Sequence, residues 1–298
     1  MAKPYANEIS KLADTLAWAA TVNIDSLRLA VRTAGLSPLL AIGSGGSLTT
    51  AHALAGFHGC FTGRLGAAAT PLEVIRESVD AGVTTWLLSA GGRNVDILAA
   101  ARALIAREPR QVAVLCGCDD SPLSELCRSH SFVDLLVYTP PAGKDGFLAT
   151  NSLLGFTALL ARAYAAEFEG EAYWAATIEA LTPLVADGSE AVAIWERLTA
   201  PLWSRPTILV LHGPSARIGA IDLESKFTEA ALGHVQLADY RNFAHGRHHW
   251  LAKRGAASAV LAFVTADDRM LADRTLKLIP SDIPQAWPAA GSVDTSLS

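Results

Sequence analysis

Two short stretches of the 298-residue chain combine glycine with hydroxyl side chains, Gly43-Ser-Gly-Gly-Ser47 and Ser89-Ala-Gly-Gly-Arg-Asn94. Each follows a short apolar run and opens a helical pattern. Glycines let a backbone approach a ligand closely, and the free N–H groups of a helix start, together with the helix dipole, favour an anion. Ser44 and Ser47 add hydroxyl donors on either side of Gly45. Ser89, Gly91 and Arg93 line the second turn, and Asn94 is a good helix N-cap. The first spacing is not the dinucleotide-binding G-x-G-x-x-G, and no Gly-Lys-Ser/Thr follows to make a P-loop. One such turn alone is a weak signal, because a tight turn with nothing bound reads the same way. Two turns on strands of one sheet place two anion cradles on the same carboxyl edge, where open α/β sheets hold their ligands.

A second group lies nearer the C-terminus. Asp222, Lys226 and Glu229 fall at i, i+4 and i+7, on one helical face. The plain reading of such a face is a solvated, ion-paired surface. Glu229 also precedes His245-Gly246 by sixteen residues. His245, His248 and His249 have a spacing that could serve a metal on a helix, but no cysteine or carboxylate adjoins them in sequence, and no metal is expected. His212, in His-Gly-Pro after a strand, reads as a loop residue. His52 and His58 sit on the helix after the first turn as structural residues, with His52 able to face a ligand. Cys60, Cys116, Cys118 and Cys127 follow neither a disulfide nor a zinc spacing. Cys116-Gly-Cys118 reads as small core packing, and a reducing cytoplasm fits.

The elements that must position these residues alternate. A helix is predicted over 6–34, then strands at 38–42, 65–69, 84–88, 112–115 and 132–137, with helices at 47–57, from 71, at 94–106 and at 148–168. Strands alternating with helical segments mean a parallel sheet covered by helices on both faces. Residues 171–199 are helical throughout and form a bridge, bracketed by Pro201 and Pro206. The theme then restarts with strands at 207–211 and 259–264 and helices at 216–232 and 269–278. The predicted division is 1–200 and 201–298. The second copy looks short, so either that domain is trimmed or the native chain continues past Ser298.

Composition limits the options. The residues are 51% hydrophobic and 18% charged, enough for a large core and unlike a disordered chain. No apolar run approaches a membrane span, and Met1 to Lys11 carries no apolar signal region. The net charge is −5 with no Lys/Arg stripe, which argues against nucleic acid as a partner.

Gly43 to Ser47 and Ser89 to Asn94 resemble the two phosphosugar loops of SIS (sugar isomerase) domains, which usually read G-x-G-x-S and S-x-S-G-x-T. Gly91 stands where the second serine is usual and Asn94 where threonine is, so a phosphate would lean more on the backbone and Arg93, or the ligand differs. Glu229 and His245-Gly246 are similar, at the same interval, to a K-x-K-E helix and a later E-x-K-H-G turn in the isomerase half of glucosamine-6-phosphate synthase. Lys226 matches the first lysine, while Thr228, Asn242 and Ala244 depart. The resemblance implies a cytoplasmic tandem SIS protein: two three-layer α-β-α sandwiches with parallel sheets, the second shortened, working as a homodimer without cofactor on a phosphorylated sugar or amino sugar. It implies Glu229 as the base that carries a proton between C1 and C2 through an enediol. His245 would open the sugar ring, often from the neighbouring subunit. The implied function is an aldose–ketose isomerase, or an amino-sugar-phosphate isomerase or deaminase. The alternatives are a non-catalytic sugar-phosphate sensor and a regulatory dimerisation module. Glu229 and His245 favour the enzyme. Gly91 and the lack of the C-terminal lysine that completes the synthase site favour the alternatives.

Overall fold

The runs Leu39–Ile42, Thr84–Ser89 and Gln111–Cys116 are too short for helices, and nearly every residue in them is buried, as a parallel sheet covered on both faces requires. The computed structural model describes residues 5–77, 79–186 and 190–287 and divides the chain near residue 187 into two compact units. The first contains α1 (Tyr5–Ile9), α2 (Leu12–Thr21), α3 (Asp25–Ala34), β1 (Leu39–Ile42), α4 (Gly46–Thr62), β2 (Gly66–Ala69), α5 (Pro71–Arg76) and β3 (Thr84–Ser89). It continues with α6 (Val95–Arg107), β4 (Gln111–Cys116), α7 (Pro122–Arg128), β5 (Val133–Val137), α8 (Asn151–Phe168) and α9 (Glu171–Val185). The strands form a parallel sheet in the order β2-β1-β3-β4-β5.

Two apolar clusters cover the two faces of this sheet. Leu16, Leu27, Leu54, Trp86, Phe156 and Tyr164 join α2, α3, α4 and α8 to one face. Ile42, Val74, Leu87, Ile97, Leu104 and Leu123 join α5, α6 and α7 to the other. The result is the three-layer α-β-α sandwich expected from the alternation. The single helix predicted over 6–34 is instead three. Asn23 Oδ1 accepts from the Asp25 N–H (3.0 Å), an Asx turn that starts α3 afresh.

Among the cysteines, Cys127 is buried deeply enough that its thiol is pushed up to about 12, with Cys116 adding to the shift, so it packs rather than reacts. His58 is likewise structural. It is fully buried between Tyr164 (Nδ1···Oη 3.0 Å) and the Ser37 carbonyl (Nε2···O 3.0 Å). Burial lowers its pKa, opposed by the Ser37 hydrogen bond and aided by Arg64. A depressed histidine pKa stabilises the fold above the unfolded value near 6.5, and that stability is lost as pH falls from there through the folded value. Urea unfolding should therefore weaken below about pH 6.5, by at most ~1.4 kcal/mol per pH unit from this group, and the slope should flatten in His58→Gln. An unchanged slope in that variant would assign the acid sensitivity elsewhere.

The second unit contains α10 (Glu190–Thr199), β6 (Thr207–His212), α11 (Arg217–Glu229), β7 (His234–Asp239), α12 (Tyr240–Asn242), α13 (His249–Arg254), β8 (Ser258–Phe263), α14 (Arg269–Leu276) and β9 (Gln285–Ala286). Its parallel sheet has the order β7-β6-β8-β9, again with an apolar cluster on each face. The sequence reading missed β7 and β9. As the edge strand, β7 keeps only partial burial, and His234, Gln236 and Asp239 break up its apolar residues. The β9 strand is two residues long. The polar tail from 288 lies outside the described residues. Among the described residues no helix is long and apolar enough to cross a membrane.

Candidate functional site

In the first unit β1 pairs with β2 on one side and β3 on the other, so the strand order reverses between β1 and β3. At such a switch point the two following loops part and leave a crevice at the carboxyl edge. The two glycine turns occupy that edge: Gly43–Ser47 follows β1, and Ser89–Asn94 follows β3.

The first turn is tight because Gly43 must be glycine. A Cβ there would overlap the Ser47 carbonyl, which belongs to the backbone of the turn. Gly45 has φ 56 and ψ −137, a conformation that side chains resist. The Ser47 N–H donates to the Ser44 carbonyl (3.2 Å) and the Leu48 N–H to the Gly45 carbonyl (2.9 Å). Seventeen-residue α4 starts here on a glycine N-cap with no side-chain cap hydrogen bond, so the positive end of its dipole lies at this turn. Ser44 and Ser47 are both partly exposed beside them.

The second turn is built differently. Ser89 is buried and its Oγ accepts from the Gly92 N–H (3.0 Å), which leaves its own proton to donate. Gly92 has φ 61, and a Cβ there would overlap Ser121. Asn94 is consumed as the N-cap of α6, its Oδ1 accepting from the Asp96 (2.8 Å) and Ile97 (3.2 Å) N–H groups. Arg93 is turned to the Asp120 carbonyl (2.8 Å). Gly91 has open space around a would-be Cβ, so no packing demands glycine there. The two loops share one edge, but their roles separate: the first leaves a helix start open, and the second closes its own.

A third segment completes this edge and was not singled out in the sequence. A Cβ at Gly46 would overlap the Ala149 Cβ, so the stretch before α8 presses on the first turn. The available signal was Thr150-Asn-Ser152 following Asp145, a cluster of capping residues ahead of a long helix.

In the second unit Glu229 ends α11, exposed, with the Ser225 hydroxyl donating to its Oε1 (2.9 Å). Lys226 forms an ion pair with Asp222 rather than with Glu229. His245 is exposed in a turn whose backbone leaves helical geometry, followed by Gly246 at φ 124, where glycine is required. Crossover helix α11 runs against the strands, so Glu229 lies by the amino end of β7, while His245 follows its carboxyl end. A six-residue strand separates those ends by roughly 20 Å. The two residues thus flank opposite ends of that strand.

The second sheet has its own switch point, between β6 and β8. That crevice holds a carboxylate of the chain itself. Asp268 is buried against the bare Cα of Gly213 and accepts from the Thr265 hydroxyl (2.8 Å). Asp239, opposite His212 in register, caps α12. Its carboxyl is held below the usual range first by the Asn242 N–H, with the Asn242 side chain, the Arg241 N–H and His212 adding to the shift.

No protein-family model matches the chain, and no curated protein matches it in sequence. Solved structures do match its fold. The C-terminal domain of glucosamine-fructose-6-phosphate aminotransferase from Francisella tularensis superimposes with a TM-score of 0.69 at 13% identity, over 96% of this chain and 88% of that one. Tagatose-6-phosphate ketose/aldose isomerase from Escherichia coli gives 0.70 at 14%, over 93% and 80%. Glucosamine-6-phosphate deaminase from Thermotoga maritima gives 0.72 at 16%, over 96% and 84%. The fold expected from the loop motifs is thus the fold these proteins share.

Proposed function

We propose that this chain is a tandem SIS-type protein that binds a phosphorylated sugar or amino sugar and interconverts its aldose and ketose forms, or isomerises or deaminates the amino sugar. The observation that carries this reading is the uncapped start of α4 between Ser44 and Ser47, beside Ser89, at the switch point of the first sheet. A phosphate dianion placed there meets the positive end of the helix dipole and hydroxyl donors without needing a lysine. The names of the three matching proteins, each of which specifies a hexose or amino-hexose 6-phosphate, support the same class.

Glu229 serves as the base of the enediol step. Its carboxylate takes the proton from one of C1 and C2 and returns it to the other. His245 gives a proton to the ring oxygen as its bond to the anomeric carbon breaks, and recovers one from the anomeric hydroxyl as the carbonyl forms. Since the two lie at opposite ends of β7, we assign them to a site made by two chains of a homodimer, in the reducing cytoplasm that four free thiols suit. The sensor reading keeps one observation in its favour, since Asn94 spends its side chain on its own helix rather than on a ligand.

Thermal denaturation with a panel of sugar phosphates tests the ligand. A phosphosugar at about one hundred times its dissociation constant should add ~2.7 kcal/mol of stability. If free sugars or nucleotides raise the melting temperature and no phosphosugar does, the assignment is wrong.

A further inference from the structure

The loop between β5 and α8 carries a carboxylate that is saturated with donors. Asp145 accepts from the Thr150 N–H (3.2 Å), the Thr150 hydroxyl (3.1 Å), the Asn151 N–H (3.0 Å), the Ser152 N–H (3.0 Å) and the Ser152 hydroxyl. These are the leading donors of eighteen-residue α8, which an anion at that end stabilises. Glu8 closes the loop from the other side. Buried to 3% exposure, it accepts from the Gly146 N–H and lies 3.3 Å from the Thr150 hydroxyl. Asn151 Nδ2 donates to the Glu8 carbonyl (2.9 Å), and the Thr15 hydroxyl donates to Asn151 Oδ1 (2.7 Å), so α1 and α2 hold the same stretch. Ala149, in the middle of it, fills the space that Gly46 leaves by having no side chain.

We propose that Asp145 is a positioning residue for the phosphosugar crevice. It fixes residues 146–151 as a third wall, and through Ala149 that wall holds the Gly43–Ser47 turn in its anion-binding form. It has a second effect on specificity. The start of α8 would otherwise offer an anion the same N–H groups and dipole as the start of α4. Asp145 fills it with a carboxylate of the chain, and the ligand's phosphate is left with α4. The ligand half of this inference rests on the phosphosugar reading, whereas the wall and the turn are independent of it.

Asp145→Asn tests it. An amide offers one acceptor oxygen and turns its NH2 towards donors, so several of the hydrogen bonds fail. Hydrogen exchange of the full-length protein should then speed up about tenfold or more at 43–47 as well as at 146–152, with β6 and β8 unchanged. The dissociation constant for fructose 6-phosphate or glucosamine 6-phosphate, measured calorimetrically, should rise by a similar factor. Faster exchange confined to 146–152, with 43–47 at the wild-type rate, overturns the proposal. Wild-type protein that binds neither sugar phosphate refutes the phosphosugar reading, and the exchange at 43–47 still decides the positioning role. If Asp145→Asn does not fold, Gly46→Ala should speed exchange at 43–47 and weaken binding, and adding Ala149→Gly should reverse both changes. A double variant no better than Gly46→Ala would overturn the contact on which the inference depends.

Discussion

Glu229→Gln should eliminate incorporation of solvent deuterium at C2 of the bound sugar and lower turnover by roughly 10²–10⁴-fold, the range for a positioned general base, while ligand affinity changes little. The amide keeps the shape of the side chain and can still accept the Ser225 hydrogen bond, but it cannot take a proton. His245→Ala should slow turnover of a cyclic substrate more than that of an open-chain analogue, because ring opening is the task proposed for it. The placement of the two residues adds a sharper expectation. Glu229 and His245 flank opposite ends of β7, so a site that uses both is expected to draw them from different chains. In a dimer of one Glu229→Gln chain and one His245→Ala chain, one site carries both defects and the other carries neither. Mixing the two inactive variants under conditions of subunit exchange should then restore about a quarter of wild-type turnover, since half the dimers are mixed and half their sites intact. No recovery from a mixture that mass measurement shows to contain mixed dimers would reject the two-chain site. Deuterium incorporation that persists in Glu229→Gln would remove the base, and no incorporation by wild type with any bound sugar would move the protein to the sensor class.

Gly91→Ser should tighten phosphosugar binding by roughly 10- to 100-fold, the worth of one added hydrogen bond to a charged group. The gain is available because Gly91 is not among the glycines at positive φ and nothing lies within 4 Å of a would-be Cβ, so serine enters without strain. Gly92, one residue on, is the opposite case: positive φ, and Ser121 in the way. Titration calorimetry on wild type, Gly91→Ser and Gly91→Ala separates the hydroxyl from the loss of backbone freedom. Equal affinities for Ser and Ala would mean that no phosphate comes near this position.

What could be read in the sequence follows from where each signal resides. The first sheet was legible because β3 and β4 are central strands, buried on both faces, and therefore continuous in apolar residues. Strand β7 was not, because an edge strand is only partly covered and tolerates His234, Gln236 and Asp239. The glycine turns were visible because backbone geometry dictates residue type at Gly43, Gly45 and Gly92. Asn94 looked equally able to serve a ligand or a helix, and only hydrogen-bond geometry shows that the helix has it. The pressure of Ala149 on Gly46 joins residues about a hundred positions apart, and no local pattern announces such a contact. Glu229 and His245 were recognisable by interval, yet an interval is silent about which end of a strand each residue occupies.

Asp268 gives the two halves different fates. Both units place a glycine-containing turn after the strand at their switch point, and in the second the buried carboxylate over Gly213 is a permanent resident. The space over Gly213 is already filled by that side chain, which the Thr265 hydroxyl holds in place. A likeness in layout between the two sheets is therefore not a likeness in what their edges offer: one helix start stands uncapped, and the other turn is covered by the protein's own Asp268 side chain.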